Sequence, residues 1–358
     1  MVNCSDYALR GPASAYGIIG KTEAAYFKTV NDMGGVNGRK INLISLDDGY
    51  SPPKTVEQTR QLIEREQVAF IFGTLGGVTN LATRQYLNDN RVPQLFLAAA
   101  ADIFADPRFP WTMGLNPALV TESHIYAKHI RSTRPDAKIG VLFQNDVLGK
   151  PFLAGIREGL GPDRGGMIVK EASYEVSDPT VDSQVVALQG MVATPKPAAQ
   201  AIRKAYDIGW MPQRYLFSGS ASIIATLKPA GLDKSKGVIT AVYGKDPTDP
   251  RWKDDPGYKE FEAFVTKYMG AAQLSDPAVV YGFAAATLMT HVLKQCGDDL
   301  SRENILRQAT NIKDFELPMG LPGTKINTSP ANYFPIRQMQ LSRFNGENWE
   351  PFGDLMSD

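Results

Sequence analysis

Few side chains in this sequence stand where chemistry would need them. The histidines are His124, His129 and His291. His124 and His129 are related as i and i+5, which places them on different faces of a helix, poor geometry for a shared metal. Cys4 and Cys296 are single and far apart in sequence, and no signature of a base accompanies Cys296 as a nucleophile. Ser218, Ser220 and Ser222 surround Gly219 without the Gly-x-Ser-x-Gly pattern of a nucleophile elbow. Asp47 and Asp48 adjoin at a strand end and so point opposite ways, which suits a solvated turn better than a carboxylate pair. No Gly-x-Gly-x-x-Gly follows the first strand, and there is no Walker-type loop. A nucleotide-dependent oxidoreductase or hydrolase therefore lacks its fingerprint. An enzyme is not excluded, but weight shifts toward a protein that only binds, with no cofactor and no metal.

The stretch that suits binding is Gly73-Thr74-Leu75-Gly76-Gly77-Val78-Thr79-Asn80, together with Ala98 to Ala101. Both segments fall beyond the carboxyl ends of expected strands, where doubly wound sheets take ligands. Small residues there let a ligand approach backbone N–H groups at a helix N-terminus, a natural seat for a carboxylate. A tight strand-to-helix turn with no ligand explains the same residues equally well.

The elements that must position these residues alternate. Ile19, Tyr26, Val30 and Met33 mark one face of a helix that stops at Gly34-Gly35. Apolar runs at 41–46, 68–72 and 92–97 predict buried strands, with helices at 51–63 and 79–88 between them. Ser51-Pro52 reads as an N-cap followed by the first helical turn. The pattern restarts after 101: helices near 121–132, 150–160, 182–189 and 195–209, and strands at 138–143, 167–172, 215–217 and 238–242. Helices at 258–268, 278–295 and 302–310 follow, then a strand over 336–344 and a turn at Asn345-Gly346. Short apolar strands separated by helices imply parallel βαβ units in an open sheet covered on both faces.

Composition narrows the class. The 358 residues suggest two domains at ~150 residues each. Apolar residues are 43% and charged residues 21%, ordinary globular values. The 38 basic and 38 acidic residues cancel, which argues against a nucleic-acid partner. Two cysteines rule out a disulfide scaffold. No apolar run reaches the ~18 residues of a membrane span, and the first ten residues lack the apolar stretch of a signal peptide.

Gly11-Pro12-Ala13-Ser14-Ala15-Tyr16-Gly17 begins a series of stretches that resembles the substrate-binding proteins of ABC importers of the branched-chain amino acid type. The series continues with Val36-Asn37-Gly38-Arg39-Lys40-Ile41, Asp47-Asp48-Gly49-Tyr50-Ser51-Pro52 and Val92-Pro93-Gln94-Leu95-Phe96. Gln144-Asn145-Asp146, Ala199-Gln200-Ala201-Ile202, Asp246-Pro247-Thr248-Asp249-Pro250 and Tyr281-Gly282 follow. Their order and spacing carry the resemblance from about Gly11 to the end. It implies an α/β chain of two Rossmann-like, doubly wound lobes joined by three hinge segments, the periplasmic binding protein type I fold. Lobe I would comprise 1–119 plus 250–330, and lobe II 120–249 plus 331–358. Such proteins are not enzymes. They close on a small-molecule solute in the interlobe cleft and deliver it to an ABC permease with its ATPase subunits. A monomer in the periplasm is expected from the family. No export signal is visible in the sequence, so cytoplasmic retention stays open, as does a ligand-sensing regulatory domain of the same fold without transport.

The resemblance also implies the site. The positions that would carry the serine and threonine holding an amino acid's carboxylate are Gly77 and Ala101, neither with a hydroxyl. Anchoring would fall to backbone N–H groups or to Thr79 and Asn80. The position of the ammonium-binding glutamate is Gly219, and two aromatic positions fall at Leu148 and Thr194. The expected ligand-binding set is Tyr16, Leu75, Gly76, Gly77, Thr79, Ala99, Ala100, Ala101, Phe104, Leu148, Thr194 and Gly219. A buried ammonium needs a partner, and these positions supply none. The expected ligand is a carboxylate or neutral solute with an aromatic or aliphatic body, as in the sub-group with aromatic-acid ligands. A branched-chain amino acid is the other ligand kept. Gln189-Gly190 runs straight into Met191, where family members carry roughly eight more residues, including most of a lobe II strand.

Overall fold

The computed structural model describes residues 2–6, 14–100, 102–186, 191–192 and 194–357. The expectations resting on Gly11-Pro12-Ala13, on Ala101 and on the Gln189-Gly190 junction lie outside the described residues. The chain divides into two compact units, Met1–Asn116 with Pro250–Ile336, and Pro117–Asp249 with Arg337–Asp358. It passes from one unit to the other three times.

The first unit opens with β1 (Val2–Asp6), α1 (Gly17–Asp32), β2 (Asn42–Leu46), α2 (Pro52–Arg60), β3 (Phe70–Phe72), α3 (Gly77–Asp89), β4 (Gln94–Leu97) and β5 (Thr112–Gly114). The strands form one parallel sheet in the order β2-β1-β3-β4-β5, a doubly wound arrangement. The polar stretch Asn3, Ser5 and Asp6 did not read as a strand. Its backbone nevertheless pairs on both edges, with Val2 beside Asn42 and Cys4 beside Ile71. The buried runs of β3 and β4 meet the rule that parallel strands are covered on both faces. Under them Leu62, Val68, Ile71, Leu87 and Val92 form one apolar cluster.

The second unit begins with α4 (Leu119–Thr133), β6 (Ile139–Gln144), α5 (Gly149–Leu160), β7 (Ile168–Tyr174), α6 (Asp182–Val186), β8 (Met191–Val192) and α7 (Pro195–Asp207). Short turns α8 (Lys228–Ala230) and α9 (Leu232–Ser235) precede β9 (Ile239–Val242). The chain then returns to the first unit as α10 (Pro256–Tyr268), α11 (Pro277–Cys296) and α12 (Arg302–Ala309), with α11 lying along α1. Each of these helices has a side-chain cap: Asp255 on Tyr258 N–H, Asp276 on Ala278 N–H and Ser301 on Asn304 N–H. Antiparallel β10 (Gln338–Phe344) and β11 (Trp349–Ser357) close the second unit; β11 was not foreseen.

The second unit's strands fall into two three-stranded sheets, β7-β6-β8 and β11-β10-β9. The strand expected over 215–217 is a single parallel bridge from Tyr215 to Ile239, followed by a 3₁₀ turn at Ser218–Ser220. Among the described residues, β8 pairs beside Leu142 and Phe143 of β6.

Candidate functional site

In the first unit, the loops after β3 and β4 stay paired beyond the strands. Gly73 N–H donates to Leu95 O at 3.0 Å, Ala98 N–H to Thr74 O at 3.0 Å and Gly76 N–H to Ala98 O at 3.1 Å. Gly76 then turns the chain into α3 with φ +95°, a value that favours glycine. A Cβ there would run into the Tyr50 ring. The N–H groups of Gly77, Val78 and Thr79 open the helix and have no intrahelical acceptor. N–H groups at a helix start, at the positive end of its dipole, are chemically able to hold an anion.

Thr79 and Asn80 brace this loop, and their donors are already committed. Both are buried, at 1% exposure. The Thr79 hydroxyl bonds to Leu75 O and reaches Gly76 O at 3.2 Å. Asn80 Nδ2 donates to Gly76 O at 2.6 Å and to Thr74 O at 3.0 Å. Asn80 Oδ1 accepts from the Thr74 hydroxyl and, at 2.9 Å, from Gln94 Nε2. Gln94 Oε1 in turn accepts from Thr112 at 3.1 Å. Neither Thr79 nor Asn80 has a side-chain donor left for a carboxylate, which leaves backbone N–H groups as the open donors of this loop.

An apolar cluster adjoins the loop. Leu75 and Ile19 are buried there, with Tyr16, Tyr50, Ala98, Ala278 and Tyr281 partly buried against them. Tyr281 Oη lies 3.1 Å from Leu97 O and 2.9 Å from Asn116 Oδ1, which fixes its ring. Tyr16 and Leu75 were expected walls. Tyr50 and Tyr281 stood inside the family-like stretches but were not read as walls. Ala99 is buried and Ala100 half-buried on the neighbouring loop. Phe104 is 1% exposed, in a turn whose Ile103 carbonyl accepts from Arg84 at 2.8 Å. The expected role of Ala101 lies outside the described residues.

The second unit carries Leu148, Thr194 and Gly219 in the segments that follow β6, β8 and the Tyr215 bridge. Leu148 is half-buried, and its N–H donates to Asp146 Oδ1 at 2.8 Å. Thr194 N–H donates to Tyr174 Oη at 2.9 Å, and its hydroxyl sits 3.2 Å from the same oxygen. Gly219 lies in the Ser218–Ser220 turn, where a Cβ would meet the Phe217 ring.

Beneath that turn is a carboxylate that the sequence reading missed. Glu122 of α4 is 2% exposed. Ser218 donates its N–H to Oε1 at 2.7 Å and its hydroxyl to Oε2 at 2.6 Å, and Tyr126 donates to Oε1 at 2.8 Å. Burial pushes the carboxyl up to about 7, against the downward pull of the Ser218 and Tyr126 hydrogen bonds. Glu122 therefore holds the turn from inside. Its one visible signal was an acid among the buried positions Leu119, Ile125 and Tyr126 of α4.

The periplasmic binding protein family model matches residues 7–348 of this chain. The Leu/Ile/Val-binding protein homolog 7 of Brucella suis biovar 1 (strain 1330) is 26% identical over 344 residues, covering 91% of this chain and 83% of that protein. A branched-chain amino acid ABC transporter protein from Thermus thermophilus, solved with bound valine, superimposes with a TM-score of 0.88 at 15% identity, covering 100% of this chain and 96% of that one. A fatty acid ABC transporter substrate-binding protein from Thermomonospora curvata gives 0.81 at 20% identity, covering 100% and 92%. The fold is thus the type I fold of periplasmic binding proteins, and the chain belongs to the periplasmic binding protein family.

Proposed function

We propose that this protein is the solute-capturing component of an ABC importer and takes a small carboxylate with an aromatic or aliphatic body, in preference to an α-amino acid. In this reading it works as a monomer in the periplasm and hands its solute to a permease driven by ATPase subunits. Loop residues 73–80 carry the proposal: three helix-opening N–H groups stand beside an apolar cluster of Leu75, Ile19 and three tyrosines. That pairing suits an anionic head joined to an apolar body. The choice against an ammonium is supported in the second unit. Gly219 has no side chain, and Glu122 is buried beneath the turn with its oxygens engaged by Ser218 and Tyr126. An ammonium buried without a counter-charge is strongly unfavourable. Relatives named for leucine, isoleucine and valine, and a structural neighbour named for fatty acids, support the aliphatic body.

A thermal-shift panel of leucine, benzoate-type acids and short fatty acids tests the reading. A ligand at ~100 times its Kd stabilises the folded state by about 2.7 kcal/mol, a readily measured rise in Tm. The expected outcome is a rise with the ammonium-free acids. A rise with leucine alone overturns the proposal.

A further inference from the structure

Among the described residues, the β6–β8 ladder covers Leu142 and Phe143, and residues 139–141 of β6 pair on the β7 side. A second edge is formed by residues 214–216, which belong to another ladder: Ile239 N–H donates to Arg214 O at 2.8 Å, and Leu216 N–H to Ile239 O at 2.7 Å. Between the two edges, under α4 and α5, lies a cavity of about 230 Å³.

We propose that this cavity is a second ligand site, distinct from the loop site, for a small monocarboxylate with an apolar body. Its depth is apolar: Ile130 of α4, Ile139 of β6, Phe152 of α5 and the ring of Tyr215 all face it. Tyr215 Oη is held 2.7 Å from His129 Nδ1, so the ring presents carbon to the cavity while its polar atom is engaged elsewhere. The rim is cationic. Arg134 and Lys138 line it, both are exposed, and neither forms an ion pair among the described residues. No carboxylate lines the cavity to compete for them. Apolar depth below a rim of two unpaired cations matches an anionic head on a hydrocarbon or aryl body. The volume falls below the ~300–1,000 Å³ of sites for drug-sized ligands, which restricts the body to an aryl ring or a short alkyl chain. An apolar void of this kind weakens the unit that contains it, and a bound apolar body restores the lost contacts.

The site stands at the amino end of β6, whereas Leu148 follows its carboxyl end. The length of β6, roughly 16 Å at ~3.3 Å per residue, separates the two.

Photolabelling of the full chain with pentanoate bearing an aliphatic diazirine, followed by peptide mass spectrometry, tests the proposal. The expected result is label within 126–141, 152–156 or 212–215, reduced at least fivefold in the Arg134→Gln, Lys138→Gln variant. Both substitutions are on exposed side chains, and a cooperative melt verifies that the variant folds. An Ala137→Trp variant at the mouth is expected to lose the same label by occlusion. Absence of label from these segments, or labelling of the folded charge variant at the parent level, overturns the proposal.

Discussion

Glu122 gives the protein a pH dependence that can be assigned to one group. In the unfolded chain its carboxyl titrates near 4.5, and in the folded chain near 7. Between those values the folded state retains a proton that the unfolded state releases, so stability falls as pH rises through the window and levels off above it. The full shift corresponds to a loss on the order of 3 kcal/mol. Asp246, Asp276 and Glu260 are also raised by burial and add to the slope. The difference between parent and Glu122→Gln isolates the Glu122 share. Denaturation midpoints at pH 5 and pH 8 are expected to differ less in the variant; an unchanged slope would contradict the assignment. Gly219 makes a second residue-scale claim. The Phe217 ring occupies the space of its missing Cβ and packs edge-on against Phe152 at 6.0 Å. Gly219→Ala is expected to lower stability by about 1–3 kcal/mol in a chemical melt. The position of Gly219 was legible by counting along family-like stretches. Glu122 was not, because an acid on a helix reads as a solvated residue until the packing around it is known.

At the scale of elements, the loop site depends on Asn80, whose side chain ties the β3 loop to the start of α3 and to β4 through Gln94. Asn80→Ala leaves the Gln94 amide and the Thr74 and Gly76 carbonyls without that partner. An unfolding free energy lower by about 2–4 kcal/mol is expected, since buried polar groups left unpaired cost ~1–3 kcal/mol each. A loss within ±0.5 kcal/mol would show that the network is not what holds the loop. The helices were legible because their signals are local: apolar spacing, a proline at the first turn and a glycine stop; the caps Asp255, Asp276 and Ser301 were not read. Ser51 was read as a cap, yet it makes no side-chain hydrogen bond, and Pro52 alone marks that start. Strands were less legible. The residues Asn3, Ser5 and Asp6 of β1 carry no apolar run, and β1 exists because β2 and β3 flank its backbone. Pairing partners decide a strand, and they lie far away in sequence.

For the whole molecule, the order of short family-like stretches conveyed the two-part fold, while the ligand chemistry stayed hidden in features without a sequence pattern. In the proposed reading the anion is held by backbone N–H groups, and discrimination against ammonium rests on a glycine and on an acid engaged by its neighbours. Zero net charge excluded a polyanion partner but said nothing of the local field at either proposed site. The central claim is that a carboxylate suffices and an ammonium is unwelcome. Leucine and isocaproate share one skeleton and differ by that ammonium, so calorimetric titration of both compares the term directly. The Arg134→Gln, Lys138→Gln variant serves as the sample, so that the cavity beside β6 adds no heat. Isocaproate binding with a Kd at least tenfold below that of leucine is the result expected here. Leucine binding as tightly as isocaproate, or more tightly, would contradict it.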